Sequence, residues 1–257
     1  MRLSQAVMIA GAWALLAVCA RADVIWPEEG AWHQFMYAGL LYPDPDDTNP
    51  GRLDVRGGFD DYGREYAACA SYFDGDDVMF RLRLDEPDNG GTGMWQVMLD
   101  TDLDGFLDWA VCVDHHKNDR VELRQMAVGG PTVGDLAVSD DVAWFGALEE
   151  YQRCLSPCPD GSHFDGTPDA FLDFAVPWTD FSDATGVSGA HVWRIAVATG
   201  TTADAIKDLP LDNDVDIYVG DVLGATAPEP GASALVLAGL AAIVIRCRGW
   251  RPRGKQT

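Results

Sequence analysis

The chain has 257 residues, and its 41 Asp and Glu outnumber its 18 Lys and Arg, leaving a formal net charge of −23 at pH 7. So acidic a surface repels nucleic acid and anionic lipid headgroups, which excludes both as ligands, and it attracts cations. The 47% hydrophobic content and the length suit one domain with a sizeable core once two unusual ends are set aside.

Residues 1–22 read as a signal peptide. Arg2 supplies the positive start, 6–19 is an apolar and small-residue run, and Ala20-Arg21-Ala22 is a small-x-small cleavage site before Asp23. Leu16-Ala17-Val18-Cys19 offers a second exported reading, a lipobox anchored at Cys19, although bulky Val18 stands where that pattern has Gly or Ala. Every Asp and Glu lies between Asp23 and Glu229, while Arg2, Arg21, Arg246, Arg248, Arg251, Arg253 and Lys255 fall outside those bounds. The exported portion is therefore more acidic than the whole chain.

Residues 23–224 predict an all-β ectodomain, an antiparallel β-sandwich. Residues 65–73 make a plausible first strand. Val78, Phe80, Leu82 and Leu84 alternate with Met79, Arg81, Arg83 and Asp85, the period of a strand with one buried and one wet face. Further runs cover 94–99, 109–113, 120–126, 171–176 and 192–198, each bounded by Asp, Gly, Pro or Asn. Residues 131–150 fit either a short helix or an irregular edge segment. Trp95, Trp109, Trp178 and Trp193 sit in or beside strands and read as core; Trp26 and Trp32 are free to pack on an outer face.

Between the 94–99 and 109–113 runs lies the strongest chemical motif, Asp100-Thr101-Asp102-Leu103-Asp104-Gly105-Phe106-Leu107-Asp108. Calcium needs several oxygen ligands, and alternate acidic positions supply them when a chain coils around the ion. Asp100, Asp102, Asp104, the Phe106 carbonyl and Asp108 form the candidate shell, with Gly105 permitting the sharp turn. The motif resembles calcium loops of the EF-hand, dockerin and thrombospondin type-3 kind. Val111 stands where an EF-hand has its bidentate Glu, and strands replace the flanking helices, so a weak extracellular calcium site is expected. A solvated acidic hairpin turn is the competing reading. Asp212, Asp214 and Asp216 are a fainter echo without the turn glycine, Asp74-Gly75-Asp76-Asp77 reads as a tight turn, and adjacent His115 and His116 would point apart in a strand.

With Cys19 in the signal and Cys247 in the tail, Cys69, Cys112, Cys154 and Cys158 remain in the exported portion. Four such cysteines predict two disulfides, with 69–112 and 154–158 favoured over the other connectivities and over a zinc site.

Residues 225–257 change character. Pro228, Glu229 and Pro230 precede an apolar span at 232–245, and Arg246, Arg248, Arg251 and Arg253 form a basic end. A helix over that span is about 21 Å long, so snorkelling arginines and interfacial Trp250 must extend its reach across a bilayer core of about 30 Å. The basic end holds the C-terminus in the cytoplasm. This order of elements resembles the PEP-CTERM sorting signal of bacterial exosortase substrates. The resemblance is confined to about the last thirty residues. It implies that an exosortase-type membrane protease recognises Pro228, Glu229 and Pro230 and cuts nearby, after a transient or permanent stay as a membrane-anchored protein. An uncut C-terminal anchor is the alternative. Asp173 to Trp178, Ala198 to Thr202 and Ile206 to Asp208 are loosely similar to uncharacterised secreted β-sandwich domains of bacterial surface proteins.

Three functions fit. The first is a non-enzymatic protein of the cell envelope, surface or extracellular matrix, stiffened by calcium. The second is a carbohydrate-binding module tied to extracellular polysaccharide, which a row of exposed Trp or Tyr would favour. The third is a secreted hydrolase, although the sequence has neither Gly-x-Ser-x-Gly nor His-Glu-x-x-His.

Overall fold

A computed structural model describes residues 23–38, 40–41, 43–44, 50–88, 91–129, 136–188, 192–202, 205–208 and 223–224. The expected signal peptide 1–22, the expected sorting tail 225–257 and the acidic run 212–216 lie outside the described residues. Among the described residues no helix is long and apolar enough to cross a membrane.

Among the described residues the regular structure is mostly β-strand, with few helices. Short strands come first: β1 (His33–Gln34), β2 (Met36–Tyr37), β3 (Leu40–Leu41), β4 (Gly58–Phe59) and β5 (Glu65–Tyr66). The main strands follow as β6 (Cys69–Phe73), β7 (Asp77–Leu84), β8 (Met94–Asp100), β9 (Trp109–Asp114), β10 (Arg120–Gly129) and β11 (Leu136–Ala147). After the one-turn helix α1 (Leu148–Tyr151) come β12 (Gln152–Leu155), β13 (His163–Phe164), β14 (Thr167–Pro168) and β15 (Ala170–Pro177). Helix α2 (Trp178–Thr185), β16 (Val192–Thr202), β17 (Ala205–Asp208) and β18 (Leu223–Gly224) complete the series.

Two antiparallel sheets carry the fold. One is five-stranded in the order β1-β6-β7-β15-β12; the other is seven-stranded, β11-β10-β9-β8-β16-β17, with β18 also paired to β16. Tight turns set the register. Between β6 and β7, Asp74 Oδ1 accepts the Asp76 and Asp77 amides at 2.8 Å, and Gly75 takes a φ of +103°. One core fills the space between sheets. Val78, Phe80, Leu82, Leu84, Leu172 and Phe174 from the first sheet join Trp95, Val97, Leu99, Val111, Val121 and Val197 from the second. Helix α2 closes one end, where Phe181 lies 5.8 Å from the Trp178 ring and 5.5 Å from that of Trp193. Gly186 ends it in the left-handed conformation, its amide donating to Ser182 O at 2.9 Å.

The alternating pattern of β7 holds, but its second face is not wet. Met79, Arg81 and Arg83 are buried as deeply as their apolar neighbours. The segment before β1 covers that face: Arg81 lies 4.2 Å from the Trp32 ring, and Arg153 lies 4.8 Å from that of Trp26. Residues 131–150, open between helix and edge segment in the sequence, hold the long edge strand β11 and the single turn α1.

The expected 69–112 disulfide is corrected by strand parity, and the expected 154–158 disulfide is not formed either. Cys69, Cys112, Cys154 and Cys158 are all unbonded. Cys69 points into the core between the sheets, whereas Cys112 belongs to a second apolar cluster with Met94, Met98, Ala110 and Met126 on the far face of the seven-stranded sheet. A sheet thus separates them. Cys154 pairs in register with Leu172, on the inner face, while the Cys158 amide donates to Asp169 O at 2.9 Å and its thiol lies beside Ser162 and Arg83. Burial pushes all four thiols up, Cys69 and Cys112 most completely.

Candidate metal centre

Strands β8 and β9 are antiparallel neighbours, so the 101–108 loop is the hairpin connection between them. It leaves from a fixed base. Asp100 is the last residue of β8, between β9 and β16, and it is fully buried opposite Arg194. The Asp108 amide donates to Leu99 O at 2.7 Å, and Met126 N donates to Asp108 O at 2.7 Å, so the loop's two feet are tied to each other and to β10. Beside the Asp108 foot, Leu107 N donates to Gly129 O at 2.9 Å; a Cβ at residue 129 would stand 1.8 Å from Leu107 O.

The loop coils by satisfying its own amides with its carboxylates. Gly105 N donates to Asp100 Oδ2 at 3.1 Å, Asp104 N to Asp102 Oδ1 at 3.1 Å, and Phe106 N to Asp104 Oδ1 at 2.8 Å. Thr101 gives Asp108 Oδ2 both its amide, at 2.7 Å, and its hydroxyl, at 2.5 Å. Leu103 and Gly105 take φ values of +65° and +93° to make the coil. Glycine adopts that region freely, but leucine does so at a cost.

This winding gathers three of the expected ligands. One carboxylate oxygen each from Asp100, Asp102 and Asp108 lies within 4.8 Å of the other two. At that spacing two unit charges repel by roughly 1 to 3.5 kcal/mol, depending on solvent access. Asp100 carries the strain most plainly. Its Oδ1 is buried without a hydrogen-bond partner. Burial, above all, pushes its pKa up; the Gly105 and Leu103 amides pull it down, the Asp108 charge raises it and Arg194 lowers it. Such a carboxylate fits a divalent cation, which would supply the charge and the contact that Oδ1 otherwise lacks.

Asp104 stands apart from the three, exposed and committed to the Phe106 amide. Phe106, in the same loop, is 53% exposed. Thr101, which orients Asp108, and Arg194, which faces Asp100, were not singled out by the acidic spacing. A hydroxyl residue directly after the first Asp was the one signal for Thr101. Of the histidines, His115 is half-buried with Nδ1 3.4 Å from Asp88 Oδ2, while His116 is exposed, so they share no site. Among the described residues, the Asp100, Asp102 and Asp108 trio is the one group of three His, Cys, Asp or Glu side chains close enough to share an ion. No protein-family model, curated protein or solved structure matches this chain.

Proposed function

We propose that this is an exported, non-enzymatic protein of the bacterial cell surface or extracellular matrix. It is a β-sandwich stiffened by calcium at Asp100, Asp102 and Asp108 and delivered by its PEP-CTERM-like tail. The observation that carries the calcium reading is the buried, unpartnered Oδ1 of Asp100 beside two further carboxylates. Calcium accepts irregular shells of oxygen ligands and extracellular modules bind it at about 10⁻⁴–10⁻³ M, which suits a loop short of the EF-hand's last ligand. The export and sorting half of the reading rests on the order of elements at the two ends of the sequence, with an exosortase-type protease as the processing partner.

Melting curves test the calcium half. Calcium at about 100 times its Kd should add roughly 2.7 kcal/mol of stability, and chelation should remove it. Sodium chloride at matched ionic strength is the control, because any cation screens so acidic a chain. Equal rises in calcium and sodium would make the loop a solvated turn. Glu229→Ala tests the sorting half: unprocessed protein should accumulate in the membrane fraction, and normal processing would argue for a plain anchor.

The feature sought for a carbohydrate-binding sheet face is a row of exposed Trp or Tyr; among the described residues Tyr62 is the one such side chain that is exposed. Every described tryptophan is buried or half-buried.

A further inference from the structure

We infer that Trp32 and Arg83 hold a buried water between them, and that this water fastens the N-terminal segment to the five-stranded sheet. Its oxygen accepts the Trp32 indole Nε1–H and the Arg83 Nε–H.

The sequence makes the room. On β6 and β7 Ala70 pairs with Arg81, and Arg83 N donates to Ala68 O at 2.9 Å. Residues opposite one another in an antiparallel pair share a face, so two methyl groups lie beside two long arginines. Arg81 and Phe171 approach to 3.9 Å and Arg81 and Trp32 to 4.2 Å, each from guanidinium carbon to ring centre. These large groups roof over a floor of alanines. A cavity of about 30 Å3 results, with Glu29, Trp32, Ala68, Ala70, Arg83 and Asp160 in its wall. That is about the volume one water takes in the liquid.

Two hydrogen-bond donors of this wall are unsatisfied. Trp32 is 9% exposed and Arg83 3%. Trp32 Nε1 and Arg83 Nε are both buried with no hydrogen-bond partner. The other arms of Arg83 are spent, since Nη1 and Nη2 meet the two oxygens of Asp160 at 3.3 and 2.8 Å. A planar guanidinium held that way turns its Nε–H aside from the carboxylate. Buried donors left dry destabilise a fold, and a small polar cavity with two to four partners is where water is retained.

Charge decides between water and an anion of similar size. Glu29 and Asp160 stand in the wall with Arg81 and Arg83, so positive charge is not in surplus, and the chain carries −23. A halide ion meets repulsion there. Water is neutral and offers its own hydrogens to nearby acceptors. Two ties already hold the N-terminal segment on this face: Arg81 Nη1 donates to Glu29 Oε1, and the Arg81 guanidinium lies on the Trp32 ring. The water extends the hold to Arg83, and through Arg83 to Asp160 in the connection between β12 and β13.

A crystal structure of the full-length protein, grown with bromide present, tests this beside NMR cross-peaks between water and the Trp32 indole N–H. An oxygen peak about 2.7–3.2 Å from both Trp32 Nε1 and Arg83 Nε is expected, without an anomalous bromide signal. The indole N–H should show a cross-peak to a long-lived water. Trp32→Phe keeps a ring for Arg81 and removes only the donor. The oxygen peak should be lost in that variant, and its unfolding constant in urea denaturation should rise roughly fivefold. A parent protein lacking either the peak or the cross-peak would overturn the inference. Bromide in the cavity would overturn it in favour of a halide site, and an unchanged oxygen peak in Trp32→Phe would remove the indole from the water's shell.

Discussion

Asp173 receives both arms of the Arg81 fork, Nε on Oδ1 at 2.6 Å and Nη2 on Oδ2 at 2.8 Å, across directly paired positions of β15 and β7. The same Oδ2 accepts Arg153 Nε at 2.8 Å from β12. The carboxylate is fully buried, and Arg81 lies 3.9 Å from the Phe171 ring centre. Three strands of the five-stranded sheet are thus joined on one face through a single anion. Removing one member of such a group strands the others in a poorly solvated place. Asp173→Ala is expected to cost roughly 3–5 kcal/mol, measured by urea denaturation. A loss under about 1 kcal/mol would show that the group is solvated more freely than its burial indicates.

Asp100→Asn should separate charge from shape in the metal loop. The amide oxygen can still accept the Gly105 N–H, but the buried negative charge and its repulsion with Asp102 and Asp108 are gone. Without calcium the variant should melt higher than the parent by roughly 2–4 °C, equivalent to about 1 kcal/mol in a domain of this size. With calcium it should lose the rise that the parent shows. A lower melting temperature in the absence of calcium would mean that the carboxylate contributes stability without an ion.

Asp60 predicts an acid limb. It is buried, which alone would raise its pKa, but the Arg64 side chain and the Arg64 and Tyr62 amides outweigh that and hold it below the usual carboxylate value. Its contribution is therefore complete above the unfolded-state value near 3.8–3.9 and is lost as pH falls through the lower folded value. Asp60→Asn should cost about 1 kcal/mol at pH 7, a modest figure because Arg64 is half exposed. The gap from the parent should shrink below about pH 4. A pH-independent gap would assign the effect to packing.

The thiols should remain thiols. Alkylation in denaturant without reductant should label Cys69, Cys112, Cys154 and Cys158, while in the folded protein Cys69, Cys112 and Cys158 should label slowly because burial pushes their thiols up. A peptide joining residues 69 and 112 would contradict the separation of the two clusters.

Strand identity was largely legible from the sequence, because period-two alternation and turn residues are local. Val78, Phe80, Leu82 and Leu84 announced their inward face, and the 94–99 and 109–113 runs became β8 and β9 nearly residue for residue. What lies over the other face is a question of distant segments. Arg81 and Arg83 read as solvated, yet Trp32, Phe171, Asp160 and Asp173 enclose them. The 69–112 disulfide failed for a related reason. Spacing said that Cys69 and Cys112 both lie in strands, but only the order and facing of the sheets shows a sheet between them. In the acidic loop the spacing found Asp100, Asp102 and Asp108. It could not tell that Asp104 would stand apart from those three, since that depends on how the loop coils.

The meeting of Leu107 and Gly129 limits how the loop can be transplanted. Residue 129 must lack a side chain, because a Cβ would stand 1.8 Å from the Leu107 carbonyl oxygen. An engineer who grafts 100–108 onto another hairpin leaves behind the partner that receives the Leu107 amide and the β10 backbone that Asp108 O engages at Met126. The portable unit is the whole three-strand meander from β8 to Gly129, and a host must offer a bare backbone at that last position.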